Sequence, residues 1–411
     1  MTERHGGREG LEGPEGRVSP DGQVGSARLA RREGQAGRAW LTRRAERAHA
    51  PITARFRAFR VVAIGGFGVV ALAASACKGQ PSDAPKPAVT VGAHIVARSG
   101  LAMGSELTLM AWVTDEDSTN RAYDAVVAEF DRLDRLMSVW KENSDIVRLN
   151  AAAGDRPVQV SKETIEALVT ARQVSEWTKG KFDVTFGALS DIWKFDQDQD
   201  DSIPSPSAIA ARLPLIDYRK LVIDEQGGTA FLQRKGMRAH LGGIGKGYAV
   251  ERAEGILRKA GLSDFSIQAG GDLYVAGQRG DRAWRLGIAD PRAPDGAIFA
   301  RIELRDSTFS TSGDYERFFM KDGVRYHHIL DPSTGQPARL SRSVTIVAKR
   351  PVIADGLSTG VFLLGPEEGM ALVERLPDVE AVIVGADNQV HVSSGLKGKI
   401  EIVHPPTDGK D

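Results

Sequence analysis

Cysteine is nearly absent from this chain, since its 411 residues include only Cys77. A single thiol excludes an internal disulfide framework and any zinc site built on several cysteines. Aromatic residues make up only 6%, but the hydrophobic share of 41% is enough for a globular core in a chain of this length.

An excess of charge of either sign is also missing, because 54 Lys and Arg residues balance 54 Asp and Glu residues. The distribution is uneven, however. Residues 1–60 contain 13 Arg and 7 acids, which leaves 41 basic against 47 acidic residues in the remainder. A folded part with an excess of negative charge gives no support to nucleic-acid binding, so we predict no nucleic-acid partner.

Long hydrophobic runs are missing as well. The uncharged apolar segment 61–76 has sixteen residues and follows Arg55, Arg57 and Arg60. A helix of that length spans about 24 Å, less than the hydrocarbon core of about 30 Å, which favours an export signal over a permanent span. We therefore predict a signal peptide over 55–77. The Arg- and Gly-rich residues 1–54 are interpreted as a disordered leader or as the product of a start site placed too far upstream.

The residues around Cys77 predict membrane attachment. Ala74-Ser75-Ala76 before the cysteine resembles a bacterial lipobox, in which the cysteine is lipidated and becomes the mature N-terminus. A short membrane anchor that keeps an unmodified cysteine is the alternative. Both interpretations predict an exported, membrane-anchored protein that faces the periplasm or the cell exterior. Residues 78–89 are rich in proline and are predicted to be a tether to the folded domain, 90–411.

The body mixes helix and strand patterns. Apolar residues at three- and four-residue spacing predict helices over 123–137 and after Ser161, and a third helix runs from near Gly247 to Gly261. Strands are predicted at 221–224, 265–268, 302–305, 344–348, 381–385 and 400–403. Because the elements come in clusters and do not alternate strictly, we predict an α+β fold.

The densest chemical signal is the segment 240–248, His-Leu-Gly-Gly-Ile-Gly-Lys-Gly-Tyr. A glycine-rich turn that leads into a helix lets backbone N–H groups approach a phosphate, and the helix N-terminus adds partial positive charge. The segment matches neither a Walker A loop nor the dinucleotide fingerprint. The residues alone leave two interpretations open, a phosphate site and a tight strand-to-helix turn.

Two further clusters carry polar groups. Adjacent His327 and His328 would point to opposite faces of a strand, so at most one of them can serve a given site. If the segment after Ala354 is helical, Asp355 and Thr359 lie on one face and present a carboxylate and a hydroxyl to one hard cation. The alternative for Asp355 is a helix N-cap. The acidic segment 196–201 lacks the glycine and glutamate of an EF-hand and is predicted to be a solvated loop.

These clusters belong to an ordered series of motifs. The series comprises Met103-Gly-Ser, 137–150, Gly180-Lys-Phe-Asp with Trp193, 241–250, Ala269-Gly-Gly-Asp272, 310–317, His328-Ile-Leu-Asp-Pro-Ser-Thr-Gly, and Ala354-Asp-Gly-Leu-Ser-Thr359. In order and spacing it resembles the ApbE family of bacterial FAD:protein FMN transferases, over about 90–403. The resemblance implies an α+β, T-fold-like flavin transferase domain behind the N-terminal export segment.

The resemblance also implies an activity. Such an enzyme uses Mg²⁺ to cleave the pyrophosphate of its substrate FAD, transfers FMN covalently to a Ser or Thr of an exported redox protein, and releases AMP. The acceptor would carry a signature like Asp-x-x-Ser/Thr-Gly-Ala-Ser/Thr. Two alternatives remain, an FAD pyrophosphatase that yields free FMN and AMP, and a non-catalytic flavin-binding lipoprotein.

Site residues follow from the same resemblance, position by position. The magnesium ligands correspond to Asp355, Thr359 and the main-chain carbonyl of Gly243. The flavin contacts correspond to Met103, Trp140, Lys181, Phe182, Asp183, His240, Lys246 and Ile329. His328 is the candidate for activating the acceptor hydroxyl or binding phosphate. The sequence departs from the family at position 240, where the family commonly has Asp, and at Glu251, where Asp is also frequent.

Overall fold

A computed structural model of the protein describes residues 92–294 and 296–409. The predicted leader 1–54, signal peptide 55–77 and tether 78–89 lie outside the described residues. Within the described part, no helix is long and apolar enough to cross a membrane.

The α-helices of the described residues are α1 (Glu116–Met137), α2 (Asp145–Ala151), α3 (Lys162–Trp177), α4 (Pro206–Arg212), α5 (Gly245–Lys259) and α6 (Pro351–Val373). Helix α6 is interrupted at Gly365, whose φ of +79° is left-handed and which precedes Pro366. The side chain of Ser161 caps α3 by accepting a hydrogen bond from the Thr164 N–H, as its sequence position predicts.

The strands fall into one large sheet and several small ones. They are β1 (His94–Ala102), β2 (Ser105–Val113), β3 (Val158–Gln159), β4 (Leu221–Asp224), β5 (Thr229–Leu232), β6 (Phe265–Ala269), β7 (Asp272–Ala276), β8 (Trp284–Ala289), β9 (Ile298–Leu304), β10 (Ser307–Gly313), β11 (Phe318–Lys321), β12 (Val324–His327), β13 (Leu330–Asp331), β14 (Gln336–Pro337), β15 (Ser341–Ala348), β16 (Glu380–Gly385), β17 (Val390–Val392) and β18 (Ile400–Ile402).

The large sheet has eight strands in the order β1-β2-β6-β7-β10-β15-β16-β17, and its neighbouring strands are all antiparallel. A three-stranded sheet has the order β18-β9-β8, and β3-β5-β4 form another. Antiparallel sheets with helices grouped along the chain confirm the predicted α+β class.

The two faces of the large sheet enter different cores. On β15, Val344 and Ile346 join the main core with helices α1, α3, α5 and α6, whereas Val347 joins a second core with Phe299 of β9. This alternation follows from the period of two along a strand. The helices therefore cover one face of the sheet, and the β18-β9-β8 sheet covers part of the other.

Helices α5 and α6 touch backbone to backbone at Gly247. A Cβ atom added to Gly247 would lie 2.5 Å from the Cβ of Asp355 and 2.5 Å from the carbonyl oxygen of Pro351. Only glycine allows this approach, because real Cβ atoms do not come so close to other heavy atoms. The contact brings the N-terminus of α5 against the first turns of α6.

We predict that Gly247→Ala lowers the free energy of unfolding by about 1–3 kcal/mol, because the added methyl pushes α5 away from α6. The matched control is Gly255→Ala in the same helix, where an added Cβ meets nothing within 4 Å. The control should gain about 0.5–1 kcal/mol from alanine's helix propensity. Urea unfolding of both variants measures the difference, and equal effects would contradict the close approach.

Candidate functional site

Asp355 is buried within α6 and bonds to the neighbouring helix. It lies five residues into α6, so the alternative that it is the N-cap of its own helix is wrong. Its Oδ2 atom accepts a hydrogen bond of 2.7 Å from the Gly247 N–H, in the first turn of α5. Asp355 thus caps α5 across the interface between the two helices.

The carbonyl of Gly243, just before the N-terminus of α5, also lacks a backbone partner. Gly243 precedes the N-cap Ile244, so no N–H of α5 bonds to it within the helix, and no backbone N–H of the described residues donates to the Gly243 oxygen. Gly243 also lies beside Thr359, whose Oγ1 is 3.4 Å from the position of an added Gly243 Cβ. The structure therefore brings together the three residues predicted to hold a cation.

Lys246 adds a half-buried cation next to this cluster. Its Nζ lies 2.9 Å from Oδ2 of Asp272, which is buried at the start of β7. Burial works to lower the pKa of Lys246, but the carboxylates of Asp272 and Asp355 outweigh it and raise the pKa above its usual value. Ser310 of β10 donates its hydroxyl proton to Asp272. Sequence reasoning placed Asp272 in a motif but gave it no role.

The raised pKa of Asp355 is consistent with an excess of negative charge in this cluster. Burial and the nearby Asp272 carboxylate raise it to about 7, and Lys246 and the Gly247 N–H only partly oppose them. Two buried carboxylates facing one ammonium favour the binding of another cation. Among residues 92–294 and 296–409, no three His, Cys, Asp or Glu side chains converge on a metal position. A cation here would therefore rely on carbonyl and hydroxyl oxygens as well.

The adjacent histidines have different surroundings. His327 is buried against Phe362, and its Nε2 lies 2.8 Å from the Ala338 carbonyl oxygen. His328 has a buried Nδ1 without a hydrogen-bond partner in the described structure. Burial, and then the positive charge of Arg317, hold the pKa of His328 well below its usual value. The ring is neutral, with a ring nitrogen unsatisfied.

His240 lies on the segment that leads into α5. Its Nδ1 accepts a hydrogen bond of 3.0 Å from the Gly242 N–H, so the ring proton is on Nε2. Burial, together with Arg317 and Arg238, lowers the pKa of His240, although Asp196 opposes them. Asp196 is paired with Arg317, and the rest of the 196–201 loop is mostly exposed, as predicted.

The segment Lys181 to Asp183 lies beside Gly243 and forms one side of the candidate site. The Nζ of Lys181 lies 2.7 Å from Oδ2 of Asp331, in the turn that follows His328. Phe182 is buried against Gly243. The Asp183 carboxylate accepts hydrogen bonds from Thr185 and from the Tyr218 N–H, and burial raises its pKa. Through these hydrogen bonds Asp183 stabilises the local backbone conformation of the segment.

The other three residues predicted to contact flavin differ in how far they are exposed to solvent. The Cε of Met103 is 3.8 Å from the position of an added Gly245 Cβ, so Met103 flanks the start of α5. Ile329 is buried beside His327. Trp140 lies on the turn after α1 with 49% of its surface exposed, and no hydrogen bond ties its indole to a described residue.

Glu251, the other departure from the family, has a structural role. Its Oε1 accepts a hydrogen bond of 2.9 Å from Nη2 of Arg350, and its Oε2 lies 3.4 Å from the N–H of Val352. Glu251 of α5 thus caps the N-terminus of α6, in the direction opposite to Asp355. The two helices stabilise each other's first turns.

Comparison with known proteins decides the family. The model of the ApbE family matches residues 103–383. This chain belongs to the ApbE family. It is 32% identical over 281 residues to an FAD:protein FMN transferase of Klebsiella pneumoniae, covering 67% of this chain and 80% of that relative. A Treponema pallidum protein of the same name is 32% identical over 297 residues, covering 69% and 82%.

Solved ApbE structures share the fold. The ApbE protein of Thermotoga maritima superposes with a TM-score of 0.69 at 31% identity, covering 74% of this chain and 99% of that one. The flavin transferase ApbE of Vibrio cholerae gives 0.67 at 28% identity, covering 75% and 99%. These comparisons confirm the family and the fold that the ordered motifs predicted.

We predict that protonation of buried His327 destabilises the protein in acid. Burial lowers the pKa of this histidine from 6.5 to about 4, so only the neutral ring fits the fold. Its contribution to stability is complete above pH 6.5 and is lost as the pH falls from 6.5 towards 4, by up to about 3 kcal/mol. His327→Gln does not titrate and should flatten this part of the unfolding profile.

The measurement is the free energy of unfolding by urea at a series of pH values in that interval. His404→Gln, at an exposed position, is the matched control. A similar change of slope in both variants would contradict the prediction, because His327 is enclosed by the core and His404 is exposed.

Proposed function

We propose that this ApbE protein is a Mg²⁺-dependent FAD:protein FMN transferase of exported redox proteins. It would bind FAD, cleave the pyrophosphate, attach FMN through its phosphate to a Ser or Thr hydroxyl of the acceptor, and release AMP. The observation that carries the proposal is the convergence of Gly243, Asp355 and Thr359 beside Lys246 at the N-terminus of α5. The names of its relatives support the same activity.

The oxygens at this point fit a magnesium ion. They are a carbonyl without a backbone donor at Gly243, the Oδ1 of Asp355, which bonds to no described residue, and the Thr359 hydroxyl. All three are hard oxygen donors of the kind that Mg²⁺ prefers, and Asp272 adds negative charge nearby. When bound, the ion would offset the charge that develops on the diphosphate as the bond to AMP breaks.

The chain's own residues bind and orient the substrate. Lys246 and the N–H groups at the start of α5 supply positive charge for the diphosphate. The acceptor hydroxyl oxygen attacks the FMN-side phosphorus, the bond from that phosphorus to the AMP oxygen breaks, and AMP leaves with the electron pair. His328 is neutral and has an unsatisfied buried Nδ1, so it can accept the hydroxyl proton.

The remaining contacts are proposed for the nucleotide. Met103, Lys181, Phe182 and Ile329 line the walls, and the half-exposed Trp140 offers a ring for stacking. At His240 the family's usual carboxylate would accept hydrogen bonds, but this imidazole has only its Nε2–H available. We propose that it donates to an acceptor atom of FAD.

The test uses the full chain, purified in mild detergent, with FAD, Mg²⁺ and a protein that carries the acceptor signature. Intact mass and AMP release are recorded together. We expect an FMN-sized mass gain of the acceptor and an equal amount of AMP. Both should be lost with EDTA and should fall at least about a hundredfold in Asp355→Asn, because the neutral amide removes the charged ligand.

Asp387→Asn is the matched control, since Asp387 is exposed, lies on the turn after β16 and has no proposed role in the site. It should transfer FMN at the rate of the unchanged chain. AMP without a mass gain would identify a pyrophosphatase, and FAD binding without either product would identify a flavin-binding protein. Either result would overturn the transferase.

We also propose that lipid on Cys77 holds the protein at the membrane, facing the periplasm or the cell exterior. The basic, apolar and small-residue segments before Cys77 support this. We predict that Cys77→Ser abolishes incorporation of labelled fatty acid and leaves the signal segment uncleaved. Labelling of cells followed by gel analysis measures both effects. Equal labelling in the variant and the unchanged chain would contradict lipidation at this residue.

A further inference from the structure

A groove lies on the face of the large sheet opposite to the helices. It has a volume of about 640 Å³ and is lined by strands β2, β6, β7 and β10 on one side and by β8 on the other. Phe309 and Trp284 provide an apolar floor, and the Nε1–H of Trp284 is satisfied by the Ala276 carbonyl. None of the residues proposed for FAD, Mg²⁺ or proton transfer lines this groove.

The wall formed by β8 offers backbone hydrogen bonds. In the β18-β9-β8 sheet, β8 pairs with β9 on one edge and with no strand of the described residues on the other. Five of the six residues of β8 line the groove, Ile288 being the exception. A free edge strand presents unpaired N–H and C=O groups, onto which an extended polypeptide can add as another strand.

One end of the groove reaches the candidate active site. Gly270 and Gly271, which line the groove, form the turn between β6 and β7, directly before Asp272. An added Cβ on Gly270 would lie 3.8 Å from Cε of Lys246. Because both residues of this turn are glycines, only backbone separates the groove from the Lys246–Asp272 ion pair. A chain lying in the groove ends close to the phosphate-binding groups.

The rim of the groove is positive, although the chain after residue 60 carries excess negative charge. Arg279, Arg282 and Arg285 line it together with a single acid, Glu316. Arg285 is paired with Glu303, but Arg279 and Arg282 are exposed and form no ion pair with a described residue. The turn between them also carries exposed Asp281, which does not line the groove. The surplus charge favours an acidic partner.

We propose that this groove binds the acceptor protein, through an extended acidic segment that adds to the free edge of β8 and pairs with Arg279 and Arg282. The proposal rests on the transferase function, because it requires a polypeptide substrate whose hydroxyl must reach the diphosphate. It identifies a docking site separate from the groups that bind FAD. The segment lies near the acceptor Ser or Thr, and its acids determine which exported proteins are modified.

The test compares Arg279→Glu/Arg282→Glu with Arg121→Glu/Arg375→Glu in the full chain. The control pair consists of exposed arginines that form no ion pair with a described residue, on α1 and after α6. It changes the net charge equally. We expect the groove variant to raise KM for the acceptor at least about tenfold, with unchanged kcat and unchanged FAD affinity. The control should keep the KM of the unchanged chain.

The outcomes separate this proposal from the transferase itself. If the unchanged chain transfers no FMN, the proposed function fails. If it transfers FMN and both double variants keep its KM, the docking site is wrong. A loss of FAD affinity in the groove variant would show that the groove holds nucleotide, and would also overturn the proposal. Lysine substitutions for acids of the acceptor segment should raise KM in the unchanged chain and much less in the groove variant.

Amide hydrogen exchange gives a readout that does not depend on turnover. With the acceptor present and FAD absent, exchange should slow at β8 and leave β18, at the opposite edge of the same sheet, unchanged. Protection at β8 is expected only if the acceptor segment pairs with its free edge. Equal exchange at β8 with and without a bound acceptor would contradict strand addition.

Discussion

The hydrogen bond from the Gly247 N–H to the buried Asp355 carboxylate organises the candidate active site. It requires α5 and α6 to touch, which only a glycine at position 247 allows. The carbonyl of Gly243, which precedes the same helix terminus, accepts no hydrogen bond from a described backbone N–H. One contact between two helices thus satisfies a helix terminus and fixes a carboxylate. Glu251 stabilises the same interface from the other helix.

Charge explains why this interface is suited to a diphosphate. Asp355 and Asp272 are both buried and face one ammonium, Lys246, so the cluster is negative until another cation binds. The divalent ion that we propose would reverse this balance, so that the N-terminus of α5 and Lys246 would attract phosphate. Burial enlarges each of these effects, because water does not screen them. The neutral rings of His240 and His328 add no further charge.

The large sheet separates two functions. Its helix-covered face carries the groups proposed to break the pyrophosphate, and its other face carries the groove proposed for the acceptor. The two sites come closest at the β6–β7 turn, because Gly270 and Gly271 have no side chains to separate them. A sheet whose side chains alternate between faces can hold both without sharing residues between them.

Much of this was readable from the sequence. The motif order predicted the family and the fold, and i, i+4 spacing placed Asp355 with Thr359 because a helix repeats every 3.6 residues. Such predictions succeed because they depend on local geometry, which neighbouring residues along the chain determine.

The tertiary structure decided what depends on distant segments. Asp272 joins Lys246 only because β7 packs beside α5, and Asp355 caps α5, not its own helix, because the two helices touch. His240 has a single donor because its turn brings the Gly242 N–H to its Nδ1. The edge of β8 is free because β8 is the last strand in the order of its sheet. By itself the sequence determined which chemical groups are present and which local elements carry them. Their partners and protonation depend on burial and contacts between remote residues, which only the packed chain supplies.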